Sequence, residues 1–195
     1  GVISHAYGLS VSITDFNKDG WPDIYVANDF KKPDYLYINN HNGTFSEKLT
    51  DYFHHISLSS MGSDVGDFNN DGLLDIVSGS FGCCAGTHVY LNTGTGVWNH
   101  SFGYINGNTE HYVECGDINH DGNLDFVSCH QNGAAYFGDG TGNFTNSHFN
   151  LPSIGPLGFY DISLKDIDGD GDDDFGFIHN NSMPYVYKWD NTTQQ

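Results

Sequence analysis

Basic residues are what this chain has least of. Six Lys and Arg stand against 25 Asp and Glu in 195 residues, for a formal charge of −19. Nucleic acid is thereby excluded as a partner, because holding phosphates takes cationic side chains that displace counterions. An anionic membrane surface is disfavoured on the same ground. No run of 18 apolar residues occurs, so no membrane insertion is expected. The opening GVISHAYGLS has no basic segment leading into an apolar one, so no signal peptide is read there, and the lack of an initiator Met suggests a piece of a longer chain. The four cysteines, at positions 83, 84, 115 and 129, form no C-x-x-C pair, which leaves a zinc or thioredoxin-type site without support. H-E-x-x-H, G-x-S-x-G and phosphate-cradling loops are absent too. Disorder does not follow from the charge, since aromatics make up 15% of the chain. Twelve Tyr, 14 Phe and 25 Gly instead suggest many short strands joined by tight turns.

What the chain does have is an internal repeat. The segment DIDGDGDDDF (166–175) has three relatives: DFNKDGWPDI (15–24), DFNNDGLLDI (67–76) and DINHDGNLDF (117–126), with starts 52, 50 and 49 residues apart. All four obey D-x-[DN]-x-D-G-x-x-D followed by Ile or Phe. One match would carry little weight; four at near-constant spacing define the architecture.

Each copy packs carboxylates at a density that repels strongly unless a cation lies among them, since two unit charges about 4 Å apart cost roughly 4 kcal/mol at an effective dielectric near 20. The alternate positions 1, 3 and 5 present side-chain oxygens, position 7 offers a backbone carbonyl, and position 9 closes the cage. The predicted ligands are Asp15, Asn17, Asp19, Trp21 and Asp23; Asp67, Asn69, Asp71, Leu73 and Asp75; Asp117, Asn119, Asp121, Asn123 and Asp125; and Asp166, Asp168, Asp170, Asp172 and Asp174. Gly20, Gly72, Gly122 and Gly171 at position 6 supply the sharp turn. An all-oxygen, flexible loop favours Ca2+ over Mg2+, and the absence of His or Cys at these positions excludes softer metals. Up to four Ca2+ are expected, one per repeat, which would bring −19 to −11 through four charges of +2. An EF-hand is excluded because position 12, where that loop needs Glu, holds Val26, Ser78, Ser128 or Phe177. Asp173 has no place in the rule and is expected to face water. The fourth copy, with Asp at position 3, is expected to depend most on its ion.

β-like segments flank the loops, as in LSVSITD before and DIYVAND after, so each loop reads as the turn of a hairpin. A second signature follows in each repeat: YLYINNHNGTF (35–45), VYLNTGTGVW (89–98), AYFGDGTGNF (135–144) and the weaker VYKWDNTT (186–193). A unit of about 50 residues thus holds three strands with room for a fourth, the make-up of a propeller blade. The expected fold is all-β, a β-propeller-type array of about four blades of four-stranded antiparallel sheet. It forms one domain over 1–195, with repeats near 1–52, 53–102, 103–151 and 152–195. The last repeat falls short of a full unit by about one outer strand.

The loops and their spacing resemble the FG-GAP/VCBS repeats of integrin-α-type β-propellers over nearly the whole chain, and DFNKDGWPDIYVANDF and SMGSDVGDFNNDGLLDI resemble the CRTAC/ASPIC-type secreted repeat proteins. The resemblance implies an extracellular, calcium-stabilised propeller used in adhesion, in lectins or beside enzymes. Propellers of this kind usually have seven blades, so the chain is expected to be a segment whose remaining blades lie in a parent chain; a small four-bladed or open array is the alternative. Phe81-Gly82 is the one FG-like pair near its expected place and no Gly-Ala-Pro occurs, so an integrin-like partner is not implied.

Three functions are weighed. The first is a binding or adhesion module for a glycan or an extracellular protein, with Trp98, Tyr104 or Trp189 stacking on sugar rings or else filling the core. The second is a scaffold appended to an enzyme, with no ligand but calcium. The weakest is a polysaccharide-degrading hydrolase or lyase, since 13 of the 25 acids are assigned to calcium. None of the 11 His forms a catalytic motif. A disulfide from Cys83 or Cys84 to Cys129 and four buried thiols are equally open readings. Sequons at Asn42, Asn99, Asn143, Asn180 and Asn191 do not decide a secretory route.

Overall fold

The computed structural model describes residues 6–30, 32–54, 56–81, 86–104, 112–128, 134–147, 159–179 and 184–189. They form four antiparallel sheets in chain order, each an up-and-down meander, and no closed barrel. The first sheet holds β1 (Tyr7–Thr14), β2 (Asp23–Asp29), β3 (Tyr35–Asn39) and β4 (Phe45–Glu47), followed by the single turn α1 (Leu49–Tyr52). The second holds β5 (Ser60–Gly66), β6 (Asp75–Ser80), β7 (Gly86–Asn92) and β8 (Trp98–Tyr104). The third holds β9 (Val113–Gly116), β10 (Asp125–Ser128), β11 (Ala134–Gly138) and β12 (Phe144–Ser147). The fourth has three strands among the described residues, β13 (Phe159–Lys165), β14 (Asp174–His179) and β15 (Tyr185–Tyr187). The array is all-β and propeller-like, as the repeat predicts.

Each acidic motif is the turn of the first hairpin of its sheet, in one frame. The terminal pairs are Thr14 with Asp23, Gly66 with Asp75, Gly116 with Asp125 and Lys165 with Asp174. The Gly-rich turn before the fourth strand also recurs. Asn40, Thr93 and Asp139 donate their N–H to the carbonyls of Thr44, Val97 and Asn143 at 2.9, 3.3 and 3.1 Å.

Hydrophobic core lies between successive sheets, because a single blade cannot cover its own faces. Phe16, Tyr25, Leu36, Phe53, Ile76, Tyr90 and Trp98 fill the first junction. Phe68, Val77, Val89, Val113, Phe126 and Tyr136 fill the second, and Ile118, Val127, Ile162, Leu164, Phe175, Phe177 and Trp189 the third. Position 2 of each acidic motif is a plug for the junction that follows. Phe16, Phe68 and Ile118 are at most 2% exposed, whereas Ile167 of the last motif is 54% exposed.

The first strands alternate across these junctions. Ser10 of β1 faces the second sheet and donates to the Ser63 carbonyl, while Leu9, Val11 and Ile13 point the other way and are exposed. By register, Val11 and Ile13 correspond to Ile162 and Leu164 of β13, which are buried against the third sheet. Trp98 and Trp189 belong to the core, each 3% exposed, so they are not the sugar-stacking surfaces considered from the sequence. Trp98 instead stacks on Phe53 and meets Phe16 edge-on. The side chain of Tyr104 lies outside the described residues.

Candidate metal loops and their relatives

The four loops share a single hydrogen-bond pattern, which explains the sequence rule residue by residue. The carboxylate at position 1 accepts the N–H of the position-6 glycine: Asp15 from Gly20, Asp67 from Gly72, Asp117 from Gly122 and Asp166 from Gly171, at 2.7–3.1 Å. Those glycines have φ between +81° and +100°, a region L-residues resist. The carboxylate at position 5 accepts the position-7 N–H: Asp19 from Trp21, Asp71 from Leu73, Asp121 from Asn123 and Asp170 from Asp172.

Position 9 is the most deeply buried. Asp23, Asp75, Asp125 and Asp174 are each 0% exposed. One oxygen of each accepts the position-2 N–H, from Phe16, Phe68, Ile118 and Ile167. The other accepts the N–H of Asn39, Asn92, Gly138 or Trp189 at the end of the third strand. This aspartate therefore clamps the loop to its own sheet. Burial pushes the carboxyl up in Asp23, to about 7 in Asp75 and to about 6 in Asp125, against the pull of the backbone bonds.

Position 3 divides the copies. Asn17, Asn69 and Asn119 donate their amides to the position-5 carboxylates of Asp19, Asp71 and Asp121 at 2.9, 3.0 and 3.1 Å. In the fourth loop Asp168 stands at position 3, and oxygens of Asp166, Asp168 and Asp174 lie within 4.8 Å of one another. This is the one such acidic triad among the described residues, and three converging carboxylates could hold an ion. Asp170 is not part of that group. Lys188 meets Asp168 at 2.7 Å and holds its carboxyl below the usual range, while the bond raises the lysine. The expectation that the fourth loop depends most on its ion overlooked this cation. In all four loops the donor chemistry is oxygen alone, which fits a hard cation and no soft one.

Two positions carry structure beyond the sequence rule. Position 4 has positive φ in every copy: Lys18 at 58°, Asn70 at 57°, His120 at 53° and Gly169 at 83°. At position 7 three of the four side chains make contacts of their own. Trp21 stacks on His41, and Asn123 accepts from Asn70 of the preceding loop at 2.9 Å. Asp172 meets His120 at 3.3 Å. Adjacent loops thus touch through positions 4 and 7. Asp173 is half-buried rather than solvated, its carboxylate lying beside Gly116 of the neighbouring sheet.

Asp34, 2% exposed, accepts from Tyr25 Oη, the Asn28 N–H and Ser60 Oγ, and burial pushes it up to about 6. Cys115 is a free thiol, while Cys83, Cys84 and Cys129 lie outside the described residues, as does His130. A cleft of about 270 Å³ opens beside the first loop, lined by Asn17, Tyr52, Asn92, Thr95 and Trp98 among others.

Residues 15–78 match the sequence model of the FG-GAP-like repeat. Integrin alpha-3 from Mus musculus and that from Cricetulus griseus are each 26% identical to this chain over 103 residues, covering 47% of it and 10% of the integrin. Among solved structures, the V. cholerae biofilm matrix protein Bap1 superposes with a TM-score of 0.53 at 17% identity, covering 95% of this chain and 32% of Bap1. A chain of the Photorhabdus luminescens Tc holotoxin pore superposes at 0.50 with 16% identity, covering 93% of this chain and 9% of that one. The two superpositions speak to fold alone. This chain therefore spans only a small part of the proteins it resembles. Residues 15–78, which hold the first two acidic loops, thus resemble an FG-GAP-like repeat, and the four sheets are of β-propeller-like construction.

Proposed function

We propose that the chain is a calcium-stabilised extracellular binding module, its four loops held by Ca2+ and its ligand a glycan or an extracellular protein. One observation carries the metal part: the same oxygen-only hydrogen-bond frame recurs in all four loops, with the position-9 aspartate wholly buried. The residues that would hold the ions are those at positions 1, 3, 5, 7 and 9, and a bound ion would supply charge neutralisation, not chemistry. Sites of the strength seen in extracellular modules, about 10⁻⁴–10⁻³ M, fill outside cells and stay empty in the cytosol. The similarity to integrin alpha-3 supports an adhesion-type role. Equilibrium dialysis with calcium tests the metal part: up to four ions bound supports it, and none bound refutes it.

For the ligand, the cleft beside the first loop is at the small end of ligand pockets, enough for a sugar ring beside Tyr52. A glycan array probed with the calcium-loaded chain separates this from the second reading, a scaffold with no other ligand. Burial of Trp98 and Trp189 favours the scaffold by withdrawing two aromatic platforms. We read the chain as non-catalytic, because the carboxyl groups that burial pushes up, Asp23, Asp34, Asp75, Glu114 and Asp125, are each engaged by backbone or side-chain donors of the fold.

The array is further proposed to continue into other blades of a longer chain. Val11 and Ile13 are 60% and 66% exposed where their counterparts Ile162 and Leu164 are 8% and 7% exposed beneath a preceding sheet. Among the described residues no following sheet covers Ile167, as one covers Phe16, Phe68 and Ile118. A longer form that includes neighbouring repeats should melt higher than this chain alone.

A further inference from the structure

Two positions vary together among the four repeats. The strand register aligns Tyr37, Tyr90, Tyr136 and Tyr187, which pair with Ile24, Ile76, Phe126 and Phe175 just after each position-9 aspartate. The next residue is Ile38, Leu91 or Phe137 in the repeats that have Asn at position 3. It is Lys188 in the repeat that has Asp168 there. The geometry explains the pairing. In the first three loops the position-3 amide is itself a donor to the neighbouring carboxylate. Asp168 can offer no such donor and adds a third converging carboxylate, and the Lys188 ammonium, 2.7 Å from its Oδ2, meets that charge.

We propose that Lys188 is a tethered counter-ion of the fourth loop, which competes with calcium for Asp168. The fourth site is then the weakest of the four and its loop the least dependent on an ion for order. The proposal rests on the calcium reading of the loops. Lys188 is suited to the role because its side chain is 64% exposed, so the stem can swing into water when an ion arrives. A divalent ion satisfies several carboxylates at once where the ammonium satisfies one, so exchange toward calcium remains favourable at high calcium.

Hydrogen–deuterium exchange of the full chain against calcium concentration reads each loop separately by its own peptide. In the wild type, the calcium midpoint for protection of residues 161–179 is expected to be the highest of the four. Lys188→Met keeps the stem and removes the charge. It should lower that midpoint by roughly two- to fivefold, the range an exposed charge pair gives, and leave the other three unchanged. In chelator the same variant should exchange faster than wild type at Gly169–Asp172. Lys188→Arg should behave as wild type, and Lys188→Gln serves if the Met variant does not fold. A fourth-loop midpoint within twofold of wild type in the uncharged variants overturns the role of Lys188 while leaving the calcium reading intact. Protection of no loop by calcium overturns both.

Discussion

Cys115 donates its backbone N–H across the boundary between the second and third sheets to the carboxylate of Asp64, at 2.9 Å. Its thiol lies 3.2 Å from the same oxygen. Burial pushes the thiol far above its ordinary range, and the Asp64 charge adds to that. Iodoacetamide at pH 8 is therefore expected to leave Cys115 unlabelled in the folded chain and to label it readily in denaturant, as peptide mapping would show. Asp64→Ala strands a half-buried N–H and should cost about 1–3 kcal/mol in urea unfolding.

The position-9 aspartates should matter even without calcium. Asp75→Ala removes the acceptor for the Phe68 and Asn92 N–H groups at once. A loss of about 2–5 kcal/mol is expected in excess chelator, from two stranded donors. Asp71→Ala in the same buffer leaves only exposed groups unpaired and should cost under about 1 kcal/mol. Equal losses would refute the clamp role.

Asp34 sets a pH dependence with a definite sign. Its folded value of about 6 lies above the 3.8 of a free carboxyl, so the folded state binds its proton more tightly than the unfolded one. Stability from this group is fully present below about pH 4 and is lost as pH rises through about 6. Asp75 and Asp125 act in the same direction when no ion is bound. Chemical denaturation in chelator should thus show stability falling between pH 4 and pH 7. Asp34→Asn should flatten that fall by an amount on the order of 2 kcal/mol.

Two glycines with similar backbone separate strain from packing. Gly43 and Gly140 both have positive φ, at +81° and +71°, but only Gly140 is crowded. A Cβ there would sit 2.2 Å from Asn123 Oδ1 and 2.6 Å from Asn70 Nδ2, breaking the bond that joins the second and third loops. Gly43→Ala should cost about 1 kcal/mol for backbone strain. Gly140→Ala should cost at least about 1 kcal/mol more and loosen exchange protection in both loops.

The blade plan was legible in the sequence because the acidic motif and the aromatic strand recur in one frame, and each fixes a hairpin. Junction chemistry was not legible, because it depends on which face of the first strand meets which neighbour. Phe16, Phe68 and Ile118 look like ordinary motif filler until the following sheet covers them. Trp98 and Trp189 were open to two readings that only burial separates. Lys188 lies 20 residues from Asp168, and nothing local marks it as a partner. The positive φ of Lys18, Asn70 and His120 escaped notice because three side chains of different chemistry occupy the position.

Thermal melting with excess calcium and with chelator decides whether ions hold the loops. At 10 mM calcium, sites of about 10⁻⁴–10⁻³ M each contribute roughly 1–3 kcal/mol. At about 2–4 °C per kcal/mol for a chain of this size, the calcium-loaded midpoint is expected to lie ~10 °C or more above that in chelator, with magnesium giving less. Identical midpoints in calcium and in chelator would contradict it.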